Sequence, residues 1–418
     1  MSSRAWPVGL ALLLGALCLA TSCSQPDRRT SVLWTDAPEI SGAVERFNAE
    51  QSSWQILLEY HANLTEALSV PGVIADLVVG RSIDQATTLE ASASLDFLFE
   101  RGEISRASFY RDLIEQGSVR GELRLVPLSF DLPVLVYSSQ RLPELDPLTL
   151  TPSKVRELSA AFQAEGKNSS LTQSFSPLWA DFPLTYLHLT GADFSADFQG
   201  KLVWNLPGLE AGLKTLSEWT AVEGRGWKTQ KEFTTKYLST SPWPLLTQGR
   251  VLFYPATLSE FVTLPLDERR GLDFRYLELD GQVAVTDNVL WGGIRANSAS
   301  PGAAREFLAD LVKPSSQKSL IAWSRSSEFR PFGLLGGLSA VIATNTSDLP
   351  GYYPEVDHRI PVAAQLKFWK PLPTNWATLR DKVVVPWLGT DPTPDKVSAL
   401  QDQLTNFGKP AASTQTTR

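Results

Sequence analysis

Short β-type runs separated by helical stretches fill the first third of the chain and restrict it to an α/β architecture. Ser31-Val32-Leu33-Trp34 is the first run, Trp54 to Tyr60 the second, and Ala75 to Val79, ending at Gly80, the third. Between the first two, Pro38 stands at a first helical position, and Ile40, Val44 and Phe47 fall on one helical face. Alternation of this kind predicts a largely parallel layer. Ser105 to Gln116 reads as a helix with Phe109 and Leu113 inward. Further on, Leu123 to Leu128 and Val134 to Tyr137 are β runs that flank Ser129-Phe130-Asp131-Leu132-Pro133. Helices are expected from Thr151 to about Glu165 and over Pro177 to Thr190, and Leu209, Leu213 and Leu216 mark another helical face. Gln248-Gly249 is a turn leading into a strand that ends at Tyr254. Ser300-Pro301 opens a helix with Ala304, Phe307, Leu308 and Leu311 on one side.

The chain has 418 residues, a length that suits two domains, and its 43% hydrophobic and 20% charged residues are those of a globular protein with a real core. Both cysteines, Cys18 and Cys23, fall near the start. The rest has no disulfide, so size and packing must stabilise it. His61, His188 and His358 have no metal-ligand spacing, and there is no phosphate-cradling Gly-rich loop and no Gly-x-Ser-x-Gly. No metal, cofactor or catalytic residue is therefore assigned, and no enzymatic role is expected. The net charge of −7 argues against nucleic acid as a partner.

The first 22 residues form an export signal: Arg4, then an apolar run from Val8 to Ala20, then the small residues Thr21 and Ser22. The run is well short of the roughly 20 residues that span a bilayer. Small residues followed by Cys23 resemble a bacterial lipobox, with Ala20 where a strict version has Leu. The resemblance implies cleavage before Cys23 and attachment of acyl chains to it. Two or three chains are needed for a firm hold. Residues 23–30 then read as a tether, and the protein is expected at the cell membrane, lipid-anchored, facing the periplasm or the cell exterior.

Four segments, in order, resemble the extracellular solute-binding proteins of ABC importers, in the sugar-binding group. They are Ser31 to Asp36 with the helix ending Glu45-Arg46-Phe47-Asn48, Val126 to Tyr137, Leu246 to Tyr254, and Trp291 to Ser298 with the Pro301 helix and Gln317. Together they cover most of 31–340; beyond about Ala340, with Tyr352-Tyr353-Pro354 and several late Trp, the pattern departs. The resemblance implies an α/β, two-lobed periplasmic-binding-protein fold with hinge-crossing strands and a cleft between the lobes. It places lobe 1 at 31–132, lobe 2 at 133–288 and a return to lobe 1 with a C-terminal helical part at 289–410; the mostly polar stretch 411–418 reads as a disordered tail. Periplasmic binding proteins close about their hinge on a bound solute, and that closure would present the solute to an ABC permease in the membrane.

Solutes in open α/β sheets sit beyond the carboxyl ends of strands. Trp34 and Asp36 occupy such a position; Asp36 is equally an N-cap for the Pro38 helix. Asp131 lies at the proposed crossing, as a hydroxyl ligand or a turn former. Trp179 and Trp243, with Trp204 and Trp227, offer rings for stacking or simply core. Tyr254 adds a ring and a hydroxyl, and Trp291 precedes Gly292-Gly293, where backbone can approach a ligand closely. Arg330 is a weaker candidate, better read as an ion-pair residue. Rings and carboxylates together favour a carbohydrate. A polyamine, a peptide or a charged metabolite on the same fold, a lipid-anchored glycan hydrolase and a degenerate surface protein are the alternatives.

Overall fold

The computed structural model describes residues 29–165, 171–197, 199–222, 226–326, 331–391 and 396–407. The export segment, Cys23, Arg330 and the 411–418 tail lie outside them. Among the described residues, twelve strands build two main sheets: β1 (Arg29–Thr35), β2 (Trp54–Tyr60), β3 (Leu77–Arg81), β4 (Val126–Phe130), β5 (Pro133–Ser138), β6 (Thr149–Leu150), β7 (Phe253–Thr257), β8 (Leu272–Leu279), β9 (Gln282–Ala284), β10 (Leu290–Ile294), β11 (Leu338–Ser339) and β12 (Leu366–Lys367). The first sheet runs in the order β11-β4-β10-β3-β1-β2, the second β7-β5-β8-β9-β12 with β6 alongside β8. Each sheet is the heart of one lobe.

The expected parallel layer is only partly found. β1 pairs in parallel with β2 and β3, but β10 is antiparallel to both β3 and β4, and β5 is antiparallel to β7 and β8. The reason lies in the crossings. The chain leaves the first sheet at β4, enters the second at β5, and returns along β10, so the returning strand points against its neighbours. A further crossing follows β11: Leu366–Lys367, in the stretch expected to return to lobe 1, pairs with β9 in the second sheet. Each lobe is thus assembled from separated stretches of chain.

The helical faces read from periodicity are the buried ones. Ile40, Val44 and Phe47 pack inward, as do Ala304, Phe307, Leu308 and Leu311 of the Pro301–Val312 helix. Phe47 and Phe307 meet edge to face at 5.2 Å, which joins those two helices over the first sheet. The expected helix over 105–116 is interrupted: Phe109 and Tyr110 are extended, because Phe109 bridges to Val341, and only Arg111–Gln116 is α-helical.

Trp291 sits in the middle of the first sheet, opposite Gly80 of β3 and Pro127 of β4, and is 1% exposed. A Cβ on Gly117 would come within 3.1 Å of its ring and 2.1 Å of the Leu125 carbonyl oxygen, so that glycine is what lets the indole pack. Trp291→Ala is expected to destabilise the protein by about 3–5 kcal/mol. Urea unfolding checks this, and an unchanged midpoint would show that the indole is not a core contact.

Candidate functional site: an acidic cleft between the lobes

A cleft of about 880 Å³ opens where the crossings meet, lined from both sheets and from the C-terminal segment. Its first-lobe wall carries Asp36, Glu39, Glu66 and Arg81. Asp36 follows the end of β1, and its carboxylate accepts the backbone N–H of Arg81 at 3.0 Å. It does not cap the following helix, whose N-cap position is Ala37. Gly80 makes the approach possible, since a Cβ there would collide with Leu64 at 2.2 Å and crowd Asp36 at 3.2 Å. Burial pushes the Asp36 carboxyl above its ordinary value, with Arg81 pulling the other way. The Arg81 guanidinium pairs with Glu39 at 3.1 Å.

Asp131 forms the floor, at the first crossing. Its carboxylate accepts the N–H of Leu132 at 2.8 Å, the N–H of Ser259 at 3.3 Å and the Ser259 hydroxyl at 2.5 Å. Its carbonyl accepts the N–H of Thr286 from the return crossing at 3.0 Å. Gly336 and Gly337 close the floor on the other side, where a Cβ on Gly337 would meet the Phe130 carbonyl oxygen at 2.4 Å.

The opposite wall is centred on Arg380. Its guanidinium pairs with Asp181, with Asp287 at 3.0 Å and with Asp381 at 2.8 Å. Asp287 also accepts the Trp376 indole N–H at 2.7 Å. Burial raises the Asp181 carboxyl; Arg380 opposes this, and Asp287, Glu260 and Asp381 add to it.

Asp36 and Asp131 therefore line the cleft, and the aromatic candidates are elsewhere. Trp34 packs its ring 4.1 Å from that of His61 and is not a lining residue. Trp179, Trp243 and Tyr254 come together inside the second lobe, with Tyr254 5.7 Å from Trp179 and 5.8 Å from Trp243. The Trp179 indole N–H donates to Thr234 there. The aromatic residues that do line the cleft are Phe130, Trp376 and Phe407, and Phe130 and Trp376 are almost wholly buried. The missed residues include Glu39, Glu66 and Arg81 on one wall and Asp181, Asp287, Trp376 and Arg380 on the other. Asp287 had a usable signal, since it stands just before the return crossing; Trp376 and Arg380 lie in the stretch where the sequence pattern departs.

Solved structures with the same two-lobed architecture decide the fold. The sugar-binding protein MalE from Xanthomonas citri matches with a TM-score of 0.64 at 14% identity, over 90% of this chain and 96% of its own. A cyclic α-maltosyl-1,6-maltose binding protein from Arthrobacter globiformis gives 0.62 at 16%, over 91% and 98%. An ABC substrate-binding protein from Listeria monocytogenes, in complex with cycloalternan, gives 0.61 at 13%, over 91% and 98%. The fold is that of the two-lobed solute-binding proteins. No family model matches the sequence, and no curated protein matches it either.

In this solute-binding fold the acid at the first crossing is one of the groups whose burial couples folding to pH. Burial lifts the Asp131 carboxyl to about 6, against the hydrogen bonds from Ser259 and Leu132. A carboxyl raised on folding contributes stability that is fully present below its unfolded value, 3.8, and is lost as pH rises through about 6. Asp84, also buried, acts in the same sense, while His188, lowered to about 4 by burial, acts against it. Asp131→Asn is expected to gain stability relative to the parent as pH rises from about 4 to about 6. Calorimetric melting temperatures across that range check it, and parallel profiles would show that Asp131 does not titrate there.

Proposed function

We propose that the chain is a lipid-anchored solute-binding protein of an ABC importer that captures a carbohydrate by lobe closure and delivers it to a membrane permease. The observation that carries the proposal is the cleft, lined from both lobes at their crossings. A solute there touches Asp36 and Asn63 on one side and Asp287 and Asn288 on the other only when the lobes are closed. It therefore shifts the population towards the closed form, by as much as its affinities for the two forms differ. The sugar-binding neighbours, among them T. maritima MalE3 with maltose bound, support carbohydrate as the solute. Carboxylates and side-chain amides suit hydroxyl groups.

The anchor belongs to the same proposal. No described helix is long and apolar enough to cross a membrane, and acylation of Cys23 would hold the protein close to its permease through the 23–30 tether. Cys23→Ser is expected to move the protein from the membrane fraction to the soluble one. Retention in the membrane would assign the anchoring to something else.

A saccharide that fits raises the melting temperature, since ligand bound only to the native state at 100 times its Kd adds about 2.7 kcal/mol. The same saccharide is expected to shrink the radius of gyration in X-ray scattering, and Asp36→Asn to weaken both responses about tenfold in ligand concentration. Silence across a broad saccharide panel would sink the carbohydrate reading.

A further inference from the structure

We infer that the solute carries positive charge, and that the cleft takes an amino sugar or another saccharide bearing an ammonium group. This rests on the carbohydrate-binding reading proposed above and narrows it. Among the described residues, eight carboxylates line the cleft against two guanidiniums, with no lysine and no histidine. The excess is on both walls. Arg81 is the only cation among Asp36, Glu39 and Glu66, and Arg380 the only one among Asp181, Glu260, Asp287 and Asp381. Each guanidinium is already committed to carboxylates of its own wall. Neither is left to meet an acidic solute or to bridge the opening.

The walls also hold unused hydrogen-bonding atoms. Glu39 Oε2 and Thr286 Oγ1, on residues that line the cleft, are buried and have no hydrogen-bond partner among the described residues. A buried carboxylate oxygen without a donor is costly. An ammonium group brings three donors together with the charge the site lacks. A bare metal ion is the poorer match, because the described residues hold no group of three or more side chains arranged for one. Asn63, Ser82, Ser129, Asn288 and Asn375 line the same cleft and provide for the hydroxyls of a sugar ring.

Closure makes the charge decisive. Bringing two net-negative walls together while expelling water strengthens their repulsion, since the same charges interact more strongly as the dielectric falls. A neutral sugar leaves that repulsion in place, and a cationic one reduces it. The charge on the solute thereby enters the closure equilibrium itself, and it sets specificity against neutral sugars of similar shape.

Titration calorimetry of the mature protein at about pH 6 tests this with four probes: the glucosamine trimer, its fully N-acetylated form, maltotriose and spermidine. The glucosamine trimer is expected to bind at least about tenfold more tightly than either neutral trisaccharide. Its affinity should fall as salt rises, because the attraction is screened. Glu66→Gln should narrow the preference for the glucosamine trimer over its acetylated form about threefold. Neutral trisaccharides that bind as tightly, or an affinity that rises with salt, would overturn the inference and leave the carbohydrate reading standing. Spermidine binding more tightly than every saccharide would overturn both the sugar part of this inference and the carbohydrate reading. Heat from none of the four would remove the inference.

Discussion

The carboxylate of Asp131 is the knot on which the two-lobed arrangement depends. Through it the first crossing is fastened to Ser259, at the start of the Leu258–Thr263 helix, and through its carbonyl to Thr286 on the return crossing. The Leu132 carbonyl takes the N–H of Leu258 beside it. Two crossings and the end of β7 thus converge on a single residue. Backbone groups of crossing segments lose their sheet partners, and such groups must be satisfied by other means when buried. Asp131 does this at the cost of burying a carboxyl, which is why its proton affinity rises.

The same exchange between burial and charge recurs along the cleft. Asp36 and Asp181 are both held above their ordinary pKa by burial, and in both cases a neighbouring arginine limits the rise. Charges that are partly buried and locally paired contribute little net stability. Their pairing fixes the carboxylates of each wall in place. Trp376 adds to this: its indole spends its one donor on Asp287, which orients the carboxylate rather than offering a ring face to the opening.

Much of the fold was legible because it is written locally. Helical faces such as Ile40, Val44 and Phe47 follow from periodicity, and burial bears them out. Boundaries set by distant partners were not legible. The third strand, read as Ala75 to Val79, runs instead over Leu77–Arg81, because pairing of Arg81 with Leu290 carries it past Gly80. For the cleft, Asp36 and Asp131 were found by a positional rule, since both stand at strand ends. Trp34 was read by the same rule, yet its ring packs against His61 and does not line the cleft. Trp179, Trp243 and Tyr254 pack on one another instead, and their sequence positions say nothing about which side of a sheet they fill. The Arg380 cluster was out of reach for a plainer reason: Asp181 lies 199 residues away in the chain.

The discontinuous make-up of the sheets has a bearing on how the protein is made. β10 sits between β3 and β4, so the first sheet stays split until residue 294 is available, and the second gains its last strand only at Leu366–Lys367. Neither lobe can be completed from an N-terminal fragment. Contacts of such long sequence separation form slowly, because chain entropy is lost before they repay it. During synthesis both sheets therefore lack strands until most of the polypeptide has been made. The topology that builds the cleft also postpones folding until the chain has nearly all emerged.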